Sequence, residues 1–270
     1  VLQHQLARCV LRFEILNLEV EGVGEAKLLQ LLETLNPEAL AGLSVAYNSV
    51  HNQGLSRILE LLRRFPGISV LDLSSNCISR IDAQLCDYLS NTLLGMPLLQ
   101  RLNVKSCRIG GRLSALLARC PHDMTHLDLS ACGLQVEDLE AIGQNQNLAC
   151  LILSDNNFSD LLPELTAVLF MLRRLQVLHL SNCRLRADFF VTLWEAVRVS
   201  SSNLRSLDLT WNELSVENFA VILGDLEGGW FPHLVRLWLP VLSSPSPAYF
   251  ELIKRINAVN SHLKVQPLLV

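Results

Sequence analysis

The stretch "LQVLHLSNC" at residues 175–183 contains a pattern that recurs along the chain. The pattern is L-x-x-L-x-L-x-x-N/C, and it places two leucines at alternate positions of a short strand, where they face the same side. Copies of it, some looser than others, occupy 13–21, 40–48, 68–76, 99–107, 124–132, 148–156, 175–183, 204–212 and 234–242. Nine copies of one pattern predict a repeat protein with a strand near each of these ranges.

The spacing of the copies indicates what lies between the strands. The central leucine recurs with a mean step of about 28 residues, at positions 16, 43, 71, 102, 127, 151, 178, 207 and 237. A leucine-rich repeat of this length has room for a helix after each strand. We therefore predict an α/β leucine-rich repeat horseshoe (a solenoid), ribonuclease-inhibitor-like, with about nine repeats, a concave parallel sheet and convex helices. We assign residues 1–270 to a single such domain, closed by a capping helix at about 247–261.

Amphipathic segments separate the predicted strands. Apolar residues recur at three-and-four spacing in 25–35, 55–65 and 187–197, which is typical of helices with one buried face. The segment 165–172 is the most apolar, and we expect a buried helix there. The repeats between residues 102 and 151 are shorter than the others, so we expect their helices to be shorter as well.

The ninth position of the pattern, here called the ladder position, is asparagine or cysteine. An asparagine can bond backbone groups of the turn that otherwise lack partners, and repetition then builds a ladder of such bonds. Cysteine is a smaller and more apolar substitute with a weak S–H donor. The ladder residues are Asn48, Asn76, Asn156 and Asn212, together with Cys107, Cys132 and Cys183. We interpret these cysteines as structural, reduced and buried.

The composition argues against several classes of function. The formal net charge is -4, whereas nucleic-acid binders usually have a basic face. No apolar run approaches the roughly 18 residues of a membrane helix. Eight cysteines occur without a Cys-x-x-Cys pair, which disfavours a zinc site. We expect a cytoplasmic monomer, with the nucleus as the alternative compartment, that has no cofactor, binds no metal and has neither nucleic acid nor membrane as a partner.

Alternate strand residues and the residues after them form the predicted concave face. Many of these residues are small and polar, and four acids are scattered among them. The C-terminal end is more distinctive, because two tryptophans and an arginine come together there, and such side chains contribute most of the energy of many interfaces. The candidate partner-binding residues are Asp72, Asn103, Lys105, Asp128, Asp155, His179, Asp208, Trp211, Arg236 and Trp238.

Two features of this face have two interpretations each. The aspartates either keep a solvated surface soluble or form a weakly acidic track for a basic partner. Asp72 and Asp128 should lie two strands apart, about 10 Å, which is comparable to the Debye length, so any field between them is modest. Trp211 either contacts a partner or shields the last strands from solvent.

An enzymatic site on this face would need His179, Cys183 and Asp208 as base, nucleophile and orienting group. We expect His179 to point out of the sheet and Cys183 to turn into the core, so the two side chains cannot meet. The sequence also has no Gly-rich phosphate loop and no His-Glu-x-x-His motif. We therefore predict that the protein is not an enzyme and that it binds another protein.

The C-terminal repeat carries a more specific resemblance. The segment "LVRLWLPVLSSPSPAYFELIKRI" (234–256), in which a strand runs into a Pro-Val segment and then a Tyr-containing helix, resembles the closing repeat of the PRAME family of leucine-rich repeat proteins. The order of "RIGGRLSALL" (108–117), "LDLSACGL" (127–134) and "LILSDNNF" (151–158) is similar to that family's order of units. The most similar branch is that of the leucine-rich repeat-containing proteins 14 and 14B.

The resemblance implies a function for a longer protein. Members of the family resemble substrate receptors of cullin-2 ubiquitin ligases, which bind elongin through a box N-terminal to the repeats. The chain opens on Val1 rather than Met, and we expect an elongin/cullin-2 segment to be missing from it. The segment "ALLARCPHDM" (115–124) is similar to the Leu-x-x-x-Cys box, but we assign it to a return helix. The alternatives are a non-degradative scaffold or inhibitor of a signalling protein, and the sensor repeats of an innate-immune receptor.

Overall fold

A computed structural model describes residues 16–18, 23–78, 80–120, 123–200, 203–240, 242, 246–259 and 264–267. The chain divides into two compact units, 1–141 and 142–270. Each unit is built from short parallel strands that alternate with helices. The assignment of the whole chain to a single domain stays a prediction.

The first unit contains five strands in sequential order. They are β1 (Leu16–Asn17), β2 (Gly42–Ser44), β3 (Val70–Asp72), β4 (Arg101–Asn103) and β5 (His126–Asp128). The helices are α1 (Gly24–Thr34), α2 (Asn52–Leu62), α3 (Ala83–Leu94), α4 (Leu113–Leu117) and α5 (Val136–Gly143), the last of which runs to the end of the unit and just past it. A short 3₁₀ helix at Pro37–Ala39 precedes β2.

The second unit repeats this arrangement with five more strands in sequential order. They are β6 (Cys150–Ile152), β7 (Val177–His179), β8 (Ser206–Asp208), β9 (Arg236–Leu239) and β10 (Lys264–Pro267). The helices are α6 (Leu162–Met171), α7 (Phe190–Ser200), α8 (Val216–Glu227) and α9 (Pro247–Val259).

The central leucines of the repeat pattern set the register of the strands within each unit. Leu16 pairs with Leu43, Leu43 with Leu71, and so on to Leu127 in the first unit. In the second unit the same holds from Leu151 to Leu237. Leu178 and Leu180 are both fully buried, as expected when alternate residues of a strand face one side. The predicted leucine-rich repeat fold class is confirmed.

Helix length follows repeat length. The helices α4 and α5 have 5 and 8 residues, in the part of the chain where the repeats are shortest. The other helices have 10 to 13 residues. Leu165 and Leu169 of α6 are fully buried, which confirms the buried helix predicted there. The predicted helices at 55–65 and 187–197 begin three residues away from their observed starts, because the 3.6-residue period alone does not locate a helix end.

Two details of the strands differ from the prediction. The paired segments are two to four residues long, whereas the repeat pattern covers nine. The strand β10 was not predicted because "KVQP" lacks the leucine pattern, yet it pairs with β9 over four residues.

Helix α9 ends at Val259, two residues before the predicted end of the capping helix, and residues 260 and 261 are outside the described part of the chain.

Asparagines at the ladder position fasten neighbouring turns together. The Asn212 side-chain oxygen accepts from the backbone N–H groups of Cys183 and Leu185, both at 3.0 Å. Its amide nitrogen donates to three backbone carbonyls, those of Leu180, Leu209 and Thr210. The Asn76 side chain makes the same five bonds one unit earlier, with Asn48, Val50, Val45, Leu73 and Ser74. These contacts agree with the ladder predicted from the sequence.

Cysteines at the ladder position replace part of this network. The Cys183 thiol donates to the carbonyls of Leu153 and Ser181 at 3.2 and 3.4 Å. The Cys132 thiol donates to Val104 at 3.2 Å. A thiol offers no strong acceptor to the turn before it. That turn is held instead by a backbone carbonyl, because the Phe158 N–H donates to the Cys183 oxygen at 3.1 Å.

A buried carboxylate fixes the turn that contains the "RIGG" segment. Asp138 is 0% exposed and accepts from the backbone N–H groups of Gly111, Leu113 and Gln135 at 2.6 to 2.8 Å. Gly110 lies so close to the next turn that an added Cβ would stand 1.8 Å from the Gly133 carbonyl oxygen. The packing of these two turns therefore requires a glycine at position 110.

Candidate partner-binding surface

The strand-face residues of the first unit are tied to one another. Asp72 accepts from the Ser74 N–H at 2.9 Å through one oxygen and from the Asn103 amide at 3.1 Å through the other. The Asn103 oxygen in turn accepts from the Lys105 N–H at 3.0 Å. These bonds hold the ends of strands β3 and β4 together, so two of the predicted contact residues have a structural role.

The other strand-face aspartates make a similar bond within their own strand. One oxygen of Asp128 accepts from the backbone N–H of Ser130 at 2.9 Å and from its hydroxyl at 2.6 Å. Asp208 accepts from the N–H and hydroxyl of Thr210 at 2.9 and 2.7 Å. Both carboxylates are half-buried. From the sequence, these aspartates were interpreted either as part of a solvated surface or as an acidic track for a basic partner. Neither interpretation includes their hydrogen bonds to the residue two positions later.

The second unit carries an aromatic cluster on its strand face. The rings of His179 and Trp238 meet edge to face with centroids 5.7 Å apart. The Arg236 guanidinium lies 5.8 Å from the Trp238 ring centroid, within range of a cation–π interaction. In register, Asp208 stands between His179 and Trp238. Three of the predicted contact residues therefore lie together in the structure, and two of them flank a fourth.

The residue before each ladder position adopts a left-handed backbone conformation. Its φ is 60° at Trp211, 61° at Asp155 and 52° at Asn182. Asp155 also accepts from the Asn182 amide at 2.9 Å. This conformation suits Asn and Asp but is costly for bulky side chains. Most repeats place a small or polar residue there, whereas Trp211 is a tryptophan that is 62% exposed.

Tyr47 occupies the same repeat position in the first unit and was missed from the sequence. Its φ is 56° and its side chain is 53% exposed. An alignment of the nine copies would have found it, since Tyr47 and Trp211 both directly precede a ladder asparagine. Both aromatics are held outside the core by a backbone position that the repeat imposes.

The residues considered for an enzymatic site occupy different environments. The His179 Nε2 lies 3.3 Å from the Ser206 hydroxyl on the strand face. The Cys183 thiol is fully buried, and burial raises its pKa from 9.0 to about 12. A protonated thiol in the core is a poor nucleophile. This placement agrees with the predicted separation of the two side chains.

The other cysteines at ladder positions share this environment. Cys107 and Cys132 are buried, and burial raises the pKa of both thiols, that of Cys132 to about 12. The seven cysteines in the described residues are free thiols, and Cys77 is exposed. Cys120, in the segment that is similar to an elongin box, is buried together with Leu116. Cys9 lies outside the described residues.

The described residues contain neither a metal-binding cluster nor a membrane-spanning helix. Within them, no cluster of three or more His, Cys, Asp and Glu side chains is arranged to hold a metal ion. In the same part of the chain, no helix has the length and apolar character needed to cross a membrane.

The strands, return helices and ladder define a leucine-rich repeat protein. A family model described as Leucine Rich repeat matches residues 121–143 and 200–217. The solved structure of the leucine-rich repeat-containing protein LegL7 from Legionella pneumophila has a TM-score of 0.57 at 16% identity, with 97% of this chain and 85% of that chain covered. This likeness concerns the fold alone.

Named relatives make the class more specific. The chain is 29% identical over 233 residues to Leucine-rich repeat-containing protein 14 of Xenopus laevis, which covers 82% of this chain and 45% of that protein. It is also 29% identical over 199 residues to NACHT, LRR and PYD domains-containing protein 5 of Bos taurus, covering 70% of this chain and 18% of that protein. The resemblance inferred from the closing repeat is confirmed by the first of these relatives. The chain spans about half the length of that relative.

Proposed function

We propose that this chain is the partner-binding part of a PRAME-family protein and has no chemistry of its own. The leucine-rich repeat fold and the relatives of the chain support a protein-interaction role. The proposed contact surface of the second unit is the aromatic patch, defined as His179, Trp211, Arg236 and Trp238. Tryptophan and arginine are the residue types that most often dominate the energy of an interface.

The observation that carries the proposal is the position of Trp211. A left-handed backbone costs a bulky residue roughly 1 kcal/mol or more, and the other described repeats, apart from the one with Tyr47, place serine, alanine, asparagine or aspartate there. The side chain is 62% exposed, so it contributes little to the core. A large apolar side chain that is both strained and solvated is better explained by a contact outside the chain.

The finer proposal concerns the longer protein. As a substrate receptor of a cullin-2 ubiquitin ligase, it would bind elongin through a segment outside this chain and a substrate through the repeats. A non-degradative scaffold or inhibitor would use the same surface without the elongin contact. Sensor repeats form a third alternative, which is favoured by the similarity to the NACHT, LRR and PYD domains-containing protein. Capture of partners with the full-length protein, with elongin and cullin-2 tested by name, separates these proposals.

Replacement of Trp211 by alanine tests the contact surface. We expect Trp211→Ala to weaken binding of the captured partner at least tenfold, because truncation of an interface tryptophan typically costs about 2 kcal/mol or more. The thermal midpoint should stay close to that of the parent protein, since the neighbouring core is made by Leu207 and Leu209. Binding is measured by calorimetry and the midpoint by circular dichroism.

Trp230 provides a matched control in the same unit. It is 52% exposed, but it packs on Arg198 of α7, with the guanidinium 4.7 Å from the ring centroid. Trp230→Ala should leave the affinity unchanged. A lowered midpoint for Trp211→Ala with intact affinity would show that Trp211 shields the strands from solvent and would end the docking proposal.

A further inference from the structure

The strand β4 and the turn after it carry a row of basic side chains, here called the basic column: Arg101, Lys105 and Arg108. Arg101 and Lys105 lie on the same side as Asn103, because the residues between them, Leu102 and Val104, are buried in the core. Arg108 follows in the turn and is exposed, as is Arg101, while Lys105 is half-buried. Within the described residues, none of the three forms an ion pair.

The acids beside the basic column are already bonded. Both oxygens of Asp72 on β3 accept hydrogen bonds from Ser74 and Asn103. One oxygen of Asp128 on β5 accepts two from Ser130. The basic column therefore presents donors that have no acidic partner, whereas the aspartates present few free acceptors. The hydrogen-bonding groups that this part of the strand face leaves free are therefore mainly donors, which favours an acidic partner.

His126 does not add to the positive charge of the column near neutral pH. It pairs in register with Arg101, and its ring lies 2.8 Å from the Thr125 hydroxyl. Burial first, and then the Arg101 guanidinium, lower the pKa of His126. The available positive charge is thus confined to the three side chains of β4 and its turn.

The geometry of the column suits one extended chain. The flanking aspartates are two strand spacings apart, about 10 Å, and Arg101 and Lys105 are four residues apart, a span of at most about 13 Å. Acidic residues four apart in an extended segment have the same separation as Arg101 and Lys105. Carboxylates form short, charge-assisted bonds with arginine and lysine.

We propose that the basic column binds an extended acidic segment of a protein partner. The inference rests on the proposed protein-binding role, and it specifies that the partner segment bound by the first unit is acidic. A nucleic acid is disfavoured, because the column offers three basic side chains, whereas proteins commonly hold a phosphate backbone through about 6–10 contacts. The described residues of strands β3, β4 and β5 also contain no Phe, Tyr or Trp, and His126 is the one ring among them on which a base could stack.

A charge-reversal pair tests the proposal with a defined probe. The probe is a fluorescein-labelled peptide of ten glutamates, measured by fluorescence polarisation at about 0.05 M and 0.3 M salt. We expect Arg101→Glu with Lys105→Glu to weaken its binding at least tenfold, and higher salt to weaken binding to the parent protein. The matched control is Arg57→Glu with Arg63→Glu, because both arginines are exposed on the helix side of the same unit and the net charge changes equally. The control should bind the probe within about twofold of the parent.

Four results would overturn the proposal. Equal losses in the two double variants would mean that the probe responds to net charge alone. Tighter binding of a ten-nucleotide single-stranded DNA than of the glutamate peptide would assign the column to nucleic acid. If the parent protein does not bind the peptide at the lower salt concentration, the proposal that the column binds an acidic segment is wrong. A captured partner that is lost with Trp211→Ala but kept with Arg101→Glu and Lys105→Glu would refute the basic column and leave the proposed function standing. Unfolded double variants are detected by circular dichroism, and Arg101→Gln with Lys105→Gln then replaces them, with a loss of at least threefold expected.

Discussion

Asparagine turns and cysteine turns occupy the same place in the repeat but are held together differently. Asn212 makes five hydrogen bonds to backbone groups, two as acceptor and three as donor. Cys183, one repeat earlier, donates to two carbonyls through a thiol. Both side chains are buried. The fold therefore requires a small buried donor at this position, whereas the acceptor half can be supplied by the main chain.

The difference teaches that the two kinds of turn are sensitive to different conditions. An asparagine turn depends on bonds that a substitution removes. A cysteine turn depends on a buried thiol that must stay neutral, because burial disfavours the thiolate. Substitution of the ladder residue should therefore destabilise an asparagine turn most, whereas alkaline pH should destabilise a cysteine turn most.

The largest expected effect is a loss of stability at alkaline pH. Burial raises the pKa of Cys120, Cys132 and Cys183 to about 12, above their ordinary value of 9.0. Between pH 9 and 12 the unfolded chain releases these protons while the folded chain keeps them, so stability is complete below pH 9 and falls as pH rises through that range. Each thiol contributes a slope of about 1.4 kcal/mol per pH unit. Urea unfolding at pH 8 and pH 10.5 should therefore differ by several kcal/mol.

The thiol contribution can be separated from that of other groups. Burial also raises the pKa of Tyr249, so this hydroxyl likewise contributes a loss of stability as pH rises. A protein in which Cys132 and Cys183 are both alanine should lose stability less steeply above pH 9 than the parent does. Identical slopes for the two proteins would mean that the cysteine turns are not the alkaline weak point.

The leucine pattern predicts much of the fold because burial of leucine is a local and repeated requirement. The register partners from Leu16 to Leu237 are the residues that the pattern marks. The ladder could also be predicted, since a polar residue at a buried turn must bond backbone groups. The strand β10 could not, because it is formed by pairing with β9 rather than by its own leucines.

The candidate surface could be predicted less fully. The pattern places Asp72, Asp128 and Asp208 on the strand face, but it does not show that they bond residues two positions later. A short side chain that competes with solvent for a neighbouring N–H depends on the local backbone geometry. The left-handed position of Tyr47 and Trp211 likewise follows from the turn rather than from the residue type.

The second largest effect is expected from loss of an asparagine turn. Asn212→Leu removes five bonds and leaves the N–H groups of Cys183 and Leu185 without their acceptor. A buried backbone group without a partner costs about 1–3 kcal/mol, so we expect a loss of about 3 kcal/mol or more in the free energy of unfolding. The matched control is Asn203→Leu at an exposed position, which should change stability by less than about 0.5 kcal/mol. Similar urea midpoints for the two variants would refute the ladder role of Asn212.

The smallest expected effect, and the sharpest test of the comparison, comes from Cys183→Ala. At pH 7 the variant loses two weak S–H bonds and a little buried volume, a cost of about 1 kcal/mol. At pH 10.5 the parent has lost about 2 kcal/mol from this thiol, because its pKa is about 12 in the folded chain and 9.0 when unfolded. The variant has no thiol to titrate, so the sign of the difference should reverse near pH 10 and the alanine protein should be the more stable one. Unfolding curves at pH 7 and pH 10.5 measure this directly. If the parent stays more stable at both values, then Cys183 is not a desolvated neutral thiol, and the proposed contrast between the two kinds of turn fails.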